Sequence, residues 1–332
     1  MTALQRLTLL VLAGAPAFGQ TTVVKMGTLA PEGSGWHKAL LQIGDKWRTI
    51  SGGRVKLVIY PGGVLGDEPD LVKKMRIGQI QAVALSGAGM FDIERGVMCL
   101  QIPMMLDSYD ELDYVRDRIA GRLEKMIEAK GFMVLNWGDA GWIQFFLKKP
   151  VTRIAEFKQV KLFTWAGDAE ELELWKASGF RVVPLAATDI LSGLETGLIE
   201  GVPMPPLYAE LNQSFRVAPY LIDVKWAPLV GATIVTKKAW DAFPADKRAE
   251  MRQAARDAGE GLRGGIRKMG DEAIVAMQKR KLTVVPVAPA VLAEWRREAE
   301  AIYPTIRGRW VPADIFDEVK RLRDEYRAKV RK

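Results

Sequence analysis

The residues able to do chemistry in this chain are few. It has one histidine, His37, and one cysteine, Cys99, among 332 residues. A Ser-His-Asp or Cys-His arrangement would therefore have to be built on a single imidazole or a single thiol. His37 falls on a helical pattern and reads as a helix-surface residue. Cys99 lies in the apolar stretch 97–106 and reads as a small buried hydrophobe rather than a nucleophile. No Walker motif, no G-x-S-x-G elbow and no H-E-x-x-H is present, and Gly87-Ala88-Gly89 lacks the remainder of a dinucleotide fingerprint. Asp67, Glu68 and Asp70 stand together, but they precede a helix, where carboxylates complement the macrodipole, and that reading outweighs a metal cluster. No cofactor or metal is expected, and catalysis would have to rest on buried carboxylates.

What the sequence offers instead is large side chains at the ends of strands. Ligands of open α/β sheets bind outside the carboxyl ends of the strands. The loops at 28–32, 86–88, 136–138 and 163–165 should therefore converge on one cleft. They bring Leu29, Glu32, Ser86, Gly87, Asn136, Trp137, Phe163 and Trp165 to it, joined by Trp36, Trp142, Tyr208 and Trp226. Each ring alone reads as core; together they favour an apolar pocket. In Glu200-Gly201-Val202-Pro203-Met204-Pro205-Pro206, three prolines after a short strand cannot extend a ladder or a helix, so the chain is held stiffly. This suits a wall carrying Met204 and Pro205, or a plain connection with Pro206 opening the next helix.

The elements that must position these residues alternate. Strand 22–29, helix 35–50, strand 54–60, helix 69–78 and strand 82–85 form a βαβαβ run, followed by a long helix over 108–130 and a strand at 132–136. The alternation restarts after Pro150 with strand 160–165, helix 169–178, strand 181–185, helix 188–198, a short strand at Val202 and helix 207–215. Two α/β domains with mostly parallel strands follow from this pattern. After a strand over 230–236, apolar residues recur at steps of three and four from Met251 to Met277. A helix of that length reaches about 50 Å, too long for one compact domain, and should span both. Its glycines would permit bending or close approach. A strand over 281–287 and helices over 289–302 and 312–331 close the chain. The predicted division is residues 20–138 plus 227–250 for the first domain and 139–226 plus 251–332 for the second, a hinged clamshell.

Composition agrees with a globular protein, 48% of its residues being hydrophobic. Residues 1–19 read as a cleaved signal peptide, with Arg6, an apolar run over 7–17 and Ala17-Phe18-Gly19 at the cleavage point. That places the mature chain across the inner membrane, in the periplasm. Cys99 is too far from the cleavage site for a lipoprotein anchor, and a lone cysteine allows no internal disulfide. The net charge of +8 is local: residues 237–332 hold 23 Lys and Arg against 15 Asp and Glu. Because both signs mix there at helical spacing, the excess reads as a solvated helix face, with nucleic acid not expected as a partner.

Several motifs carry a family resemblance over essentially all of the mature chain. They are residues 26–32 (M-G-T-L-A-P-E), 51–55 (S-G-G-R-V), 60–66 (Y-P-G-G-V-L-G), 75–79 (M-R-I-G-Q) and 197–201 (G-L-I-E-G). Together they resemble the solute-binding proteins of tripartite ATP-independent periplasmic (TRAP) transporters, the DctP-like family. The resemblance implies a clamshell of the type II periplasmic-binding-protein kind, a helix spanning both domains, a solute closed between them, and delivery to an ion-driven membrane permease. It also implies a binding strand reading Lys-x-Arg, whose arginine grips a ligand carboxylate. The matching stretch here is Lys161-Leu162-Phe163, and Lys161 is no ready substitute for the arginine. That departure turns the expected solute toward an apolar or weakly polar one, with a carboxylate left open. The proline segment resembles a divergent branch of the family in which a helical-repeat partner protein is implied. Two other classes stay open at this point: an exported α/β enzyme using buried carboxylates, and an adaptor binding protein through its basic C-terminal third.

Overall fold

A computed structural model describes residues 21–330; the signal-peptide segment expected at the N-terminus lies outside the described residues. The first half runs β1 (Thr22–Thr28), α1 (Gly35–Ile50), β2 (Val55–Tyr60), α2 (Glu68–Arg76), β3 (Ala82–Ser86), α3 (Gly87–Phe91), α4 (Tyr109–Ala129) and β4 (Phe132–Leu147). The second adds α5 (Ile154–Phe157), β5 (Leu162–Trp165), α6 (Ala169–Ala177), β6 (Val182–Leu185), α7 (Ile190–Thr196), β7 (Gly201–Met204), α8 (Pro206–Leu211) and β8 (Tyr220–Thr236). There follow α9 (Lys237–Asp241), α10 (Arg248–Gln278), β9 (Thr283–Val285), α11 (Pro289–Ala301), α12 (Tyr303–Thr305) and α13 (Ala313–Val330).

The strands order as β2-β1-β3-β8-β4-β7-β5-β6, with β9 beside β8. On each side the outer strands are parallel: β1 pairs with β2 and β3, and β5 with β6 and β7. Between them β4 and β8 pair antiparallel along nearly their whole lengths and belong to both halves. The expected strands at 132–136 and 230–236 are thus the ends of much longer ones. Each half covers its sheet on both faces with apolar cores. Leu112, Val115, Ile119 and Leu123 of α4 fill one face of the first half, and Trp47, Trp240 and Phe243 fill the other.

The long helix is a single element of 31 residues. Met251 and Ala255 at its start are buried in the first half, while Ile266, Ala273 and Met277 are buried in the second. Trp47 Nε1 donates to Met251 O at 2.9 Å and ties α1 to it. Of its glycines, Gly259 is the one whose side-chain position is taken: an added Cβ would sit 2.8 Å from Asn136 Cβ on β4. The helix therefore lies directly on the shared strand. The C-terminal run divides between the halves, unlike the sequence-based division. Trp295 of α11 lies against Phe145 and Phe157 in the second half. By contrast α13 packs on α4, where Tyr114 donates to Glu325 at 2.8 Å and Arg122 pairs with Asp314 and Glu318. The apolar face of α4 needed a cover, and α13 supplies it through Ile315, Phe316 and Val319.

Candidate functional site

A cavity of about 200 Å³ lies between the two halves at the strand ends. Thr28, Leu29 and Ala30 after β1 and Ser86 after β3 come from one side, and Phe163 and Trp165 of β5 from the other. Trp36, Asn136, Met204, Pro205 and Tyr208 complete the group that sequence reasoning assigned to the cleft and the fold assembles. The lining is overwhelmingly carbon, with Ile143, Ile190, Leu229 and Leu262 among the residues the sequence did not single out.

Five expected residues lie elsewhere. Glu32 is exposed. Gly87 is buried at the start of α3, where an added Cβ would meet Gln101 Nε2 at 1.8 Å, so its role is a close approach. Trp137 and Trp142 are buried in the core of the first half. Trp137 Nε1 donates to Glu124 at 3.0 Å, and Trp142 lies 5.6 Å from Tyr109 between ring centroids. Trp226 stacks on Trp175 and lines a second, smaller cavity of about 100 Å³. The two cavities share Ile143, Phe163, Trp165, Pro203 and Leu229, which form the partition between them.

Register explains which rings face the cleft. Side chains of a strand alternate faces. Asn136, Gly138 and Ala140 line the cavity while Trp137 points to the core. A bulge between Asp139 and Gly141 then shifts the register, and the extra residue flips the parity. Beyond it Ile143 lines the cavity and Trp142 faces the core. On β5, Phe163 and Trp165 share one face by simple alternation. Lys161 donates Nζ to Gly197 O at 2.9 Å and does not line the cavity. The proline segment serves both of the roles weighed for it. Pro203 sits inside β7 opposite Phe145, tolerated because the pairing of β7 with β5 ends at Gly201, and Pro206 opens α8.

Polar residues line or border the cavity as well. Asp67, read from the sequence as a helix-start carboxylate, caps α2 through Oδ1, with Glu68 N donating at 2.8 Å. Its Oδ2 reaches across the cleft and accepts from Trp165 Nε1 at 2.9 Å and Ala187 N at 2.8 Å. Close by, an added Cβ on Gly167 would meet Pro69 Cγ at 2.6 Å, so the lips of the two halves touch. Glu68 is fully buried and accepts from Ser86 N at 2.8 Å, Ser86 Oγ at 2.7 Å and Gly89 N at 2.8 Å. Burial, outweighing those hydrogen bonds, pushes its carboxyl up to about 7. His37 is buried rather than on the helix surface, its Nδ1 accepting from Gly33 N at 3.0 Å. Cys99 is fully buried, and burial pushes its thiol far up, away from any nucleophilic role.

At the bulge of β4, Asp139 anchors an ionic knot. Arg267 of α10 donates to Asp139 Oδ2 at 2.8 Å and forks onto Asp113 with two bonds of 2.7 Å. Arg116 of α4, itself buried, reaches Asp139 Oδ1 at 3.4 Å and also pairs with Asp113. Arg267 lies over the Tyr109 ring at 4.2 Å. Among the described residues no group of His, Cys, Asp and Glu is placed to hold a metal ion, and no helix is long and apolar enough to cross a membrane. The arrangement offers a largely apolar cleft, with Glu68, Asp139 and Arg263 also in its lining and Asp67 bonded across it.

The family model for bacterial extracellular solute-binding protein, family 7, matches residues 26–308. A solute-binding protein of Roseobacter denitrificans is 23% identical over 309 residues, covering 92% of this chain and 94% of that protein. The C4-dicarboxylate-binding periplasmic protein DctP of Rhodobacter capsulatus is 26% identical over 273 residues, 79% of each. Among solved structures, the sugar acid binding protein of Advenella mimigardefordensis in complex with galactonate superposes with a TM-score of 0.86 at 18% identity, over 92% of this chain and 99% of that one.

Proposed function

The chain belongs to bacterial extracellular solute-binding protein family 7, whose members serve TRAP transporters as binding proteins, and from that premise we propose that its cleft selects a small solute with an apolar body. Members of the family bind small solutes outside the cytoplasm and hand them to the TRAP membrane permease; they are not enzymes. The exported-enzyme alternative is therefore set aside.

The observation that carries the proposal is the wall facing the solute. Phe163 occupies the position where the resemblance implies a carboxylate-gripping arginine, and Ile143, Trp165, Met204 and Leu229 surround it. Galactonate and C4-dicarboxylates, the solutes named for two relatives, need several polar partners when desolvated. These strands present carbon. Burying apolar surface at roughly 25 cal/mol per Å² would supply the binding free energy. Residues Leu29, Trp36, Asn136, Phe163, Trp165, Met204 and Tyr208 make the contacts in this reading. The hinge lies at the β4 bulge beside Asp139, and Asp67 latches the closed form onto Trp165 and Ala187.

Export completes the reading, with the leader cleaved near Gly19. A helical-repeat periplasmic protein, implied by the resemblance to the divergent branch, would be a second partner beside the permease. A thermal-shift screen tests the solute class. Aliphatic and aromatic solutes should raise the melting temperature, and succinate and galactonate should leave it unchanged. Stabilisation by the latter two alone would overturn the proposal.

A further inference from the structure

One cation lines this apolar cavity, and it does not come from the strand where the resemblance implies one. Arg263 projects from α10, next to Gly259 and Leu262, which also line the cavity. Its side chain is 23% exposed, and its nearest carboxylate oxygen is Asp139 Oδ1, 4.0 Å from Nε. Nε is buried and has no hydrogen-bond partner among the described residues.

Asp139 is already engaged. Arg267 holds its Oδ2 at 2.8 Å, and Arg116 approaches its Oδ1 at 3.4 Å. Asp113 is likewise taken by Arg267 and Arg116. The remaining carboxylate of the knot, Asp117, is 63% exposed and lies 3.7 Å from Arg116. Three guanidinium groups thus meet two buried or half-buried carboxylates, and the unmatched charge is on the arginine that faces the cleft. The other carboxyl of the lining, Glu68, is bonded to Ser86 and Gly89. A buried donor without an acceptor is costly unless a ligand supplies one.

We propose that the solute is an amphipathic monoanion, its apolar body lying against Phe163 and Ile143 and its single carboxylate pairing with Arg263. This rests on the reading of the cleft as the solute site and adds the head group. A solute with two or more charges would leave one without a partner in the apolar lining, so the site selects one anionic end.

The test compares matched acids and alcohols, octanoate with 1-octanol and 3-phenylpropanoate with 3-phenylpropanol. Binding is measured by calorimetry to the full mature chain and to its Arg263→Met and Arg263→Lys variants. Wild type should bind the acid of at least one pair about tenfold or more tightly than its alcohol, a preference that weakens with salt. Arg263→Met should lose the preference while keeping affinity for the alcohol, and Arg263→Lys should keep part of it. Because Arg263→Met preserves the apolar stem and leaves the Arg267–Asp139 pair in place, unchanged melting identifies it as folded. Alcohols bound as well as acids, or a preference that survives in Arg263→Met, would overturn the proposal while leaving the apolar cleft intact. Binding of no member of either pair would overturn both.

Discussion

Ile143 and Asp139 lie close together on one strand, yet the regions they belong to are built on opposite principles. Around Ile143 the wall of the cleft is carbon: Phe163, Trp165, Met204 and Leu229 offer shape and area to the solute proposed for it. Around Asp139 the molecule uses charge on itself. Arg116 and Arg267 converge on Asp139 and Asp113, joining α4, β4 and α10 at the crossing between the halves. The difference separates two tasks that a carboxylate-gripping arginine on the strand would merge. In the proposed reading the charges of the knot brace the crossing between the halves, while apolar contact, with Arg263 for the head group, selects the solute.

The sharpest break in that comparison is Asp139→Asn. Asp139 is fully buried and Arg116 is 1% exposed. Removing its charge leaves the buried Arg116 and the Arg267 guanidinium to share the half-buried Asp113, which should cost about 3 kcal/mol in urea unfolding. A loss under 1 kcal/mol, on the order of an exposed pair, would show that the knot does not hold the hinge. Next in size is Asp67→Ala, which removes both hydrogen bonds across the cleft and a helix cap. Solute affinity should fall roughly tenfold, with about 1 kcal/mol lost from the cap. Solution scattering should show a wider closed form; unchanged affinity and dimensions would remove Asp67 as the latch.

Phe163→Arg exchanges the principle of one region for that of the other. It should weaken an apolar solute about tenfold and admit small dicarboxylates, read by calorimetry. Unchanged affinities would take Phe163 out of the site. The smallest effect concerns pH. Burial pushes the carboxyls of Glu68 and Glu171 up to about 7 from an ordinary 4.5. The folded chain therefore holds protons that the unfolded chain releases between those values. The stability they contribute is fully present below about pH 4.5 and is lost as pH rises through about 7. Glu68→Gln should flatten the decline in stability between about pH 4.5 and 7 by on the order of 1 kcal/mol; an unaltered slope would show that Glu68 titrates normally.

The elements with long periodic patterns were legible from the residues alone: the helices at 109–129 and 248–278 and the short strands of the second half were expected within a few positions. The shared strands were not. Gly138, Asp139 and Gly141 in β4 and Pro228 in β8 look like loop chemistry, and only long-range antiparallel pairing with bulges makes them strand. The same bulge misled the reading of the rings, because Trp137 and Trp142 can be assigned a face only once the register is known. Asp67 and Glu68 carried a correct local signal, the helix start, which hid their contacts across the cleft and with Ser86. Arg263 had no local signal at all. It is one basic residue among many on a helix whose face toward the cleft is set by the close approach of Gly259 to Asn136.

The central claim, that the cleft holds an apolar-bodied solute, is tested most directly by native mass spectrometry. The mature chain would be expressed through the periplasm, and the small molecule that leaves on unfolding would be identified. The account predicts one stoichiometric compound with an apolar body, and from the role of Arg263 a single acidic group. A stoichiometric sugar acid or C4-dicarboxylate would contradict it.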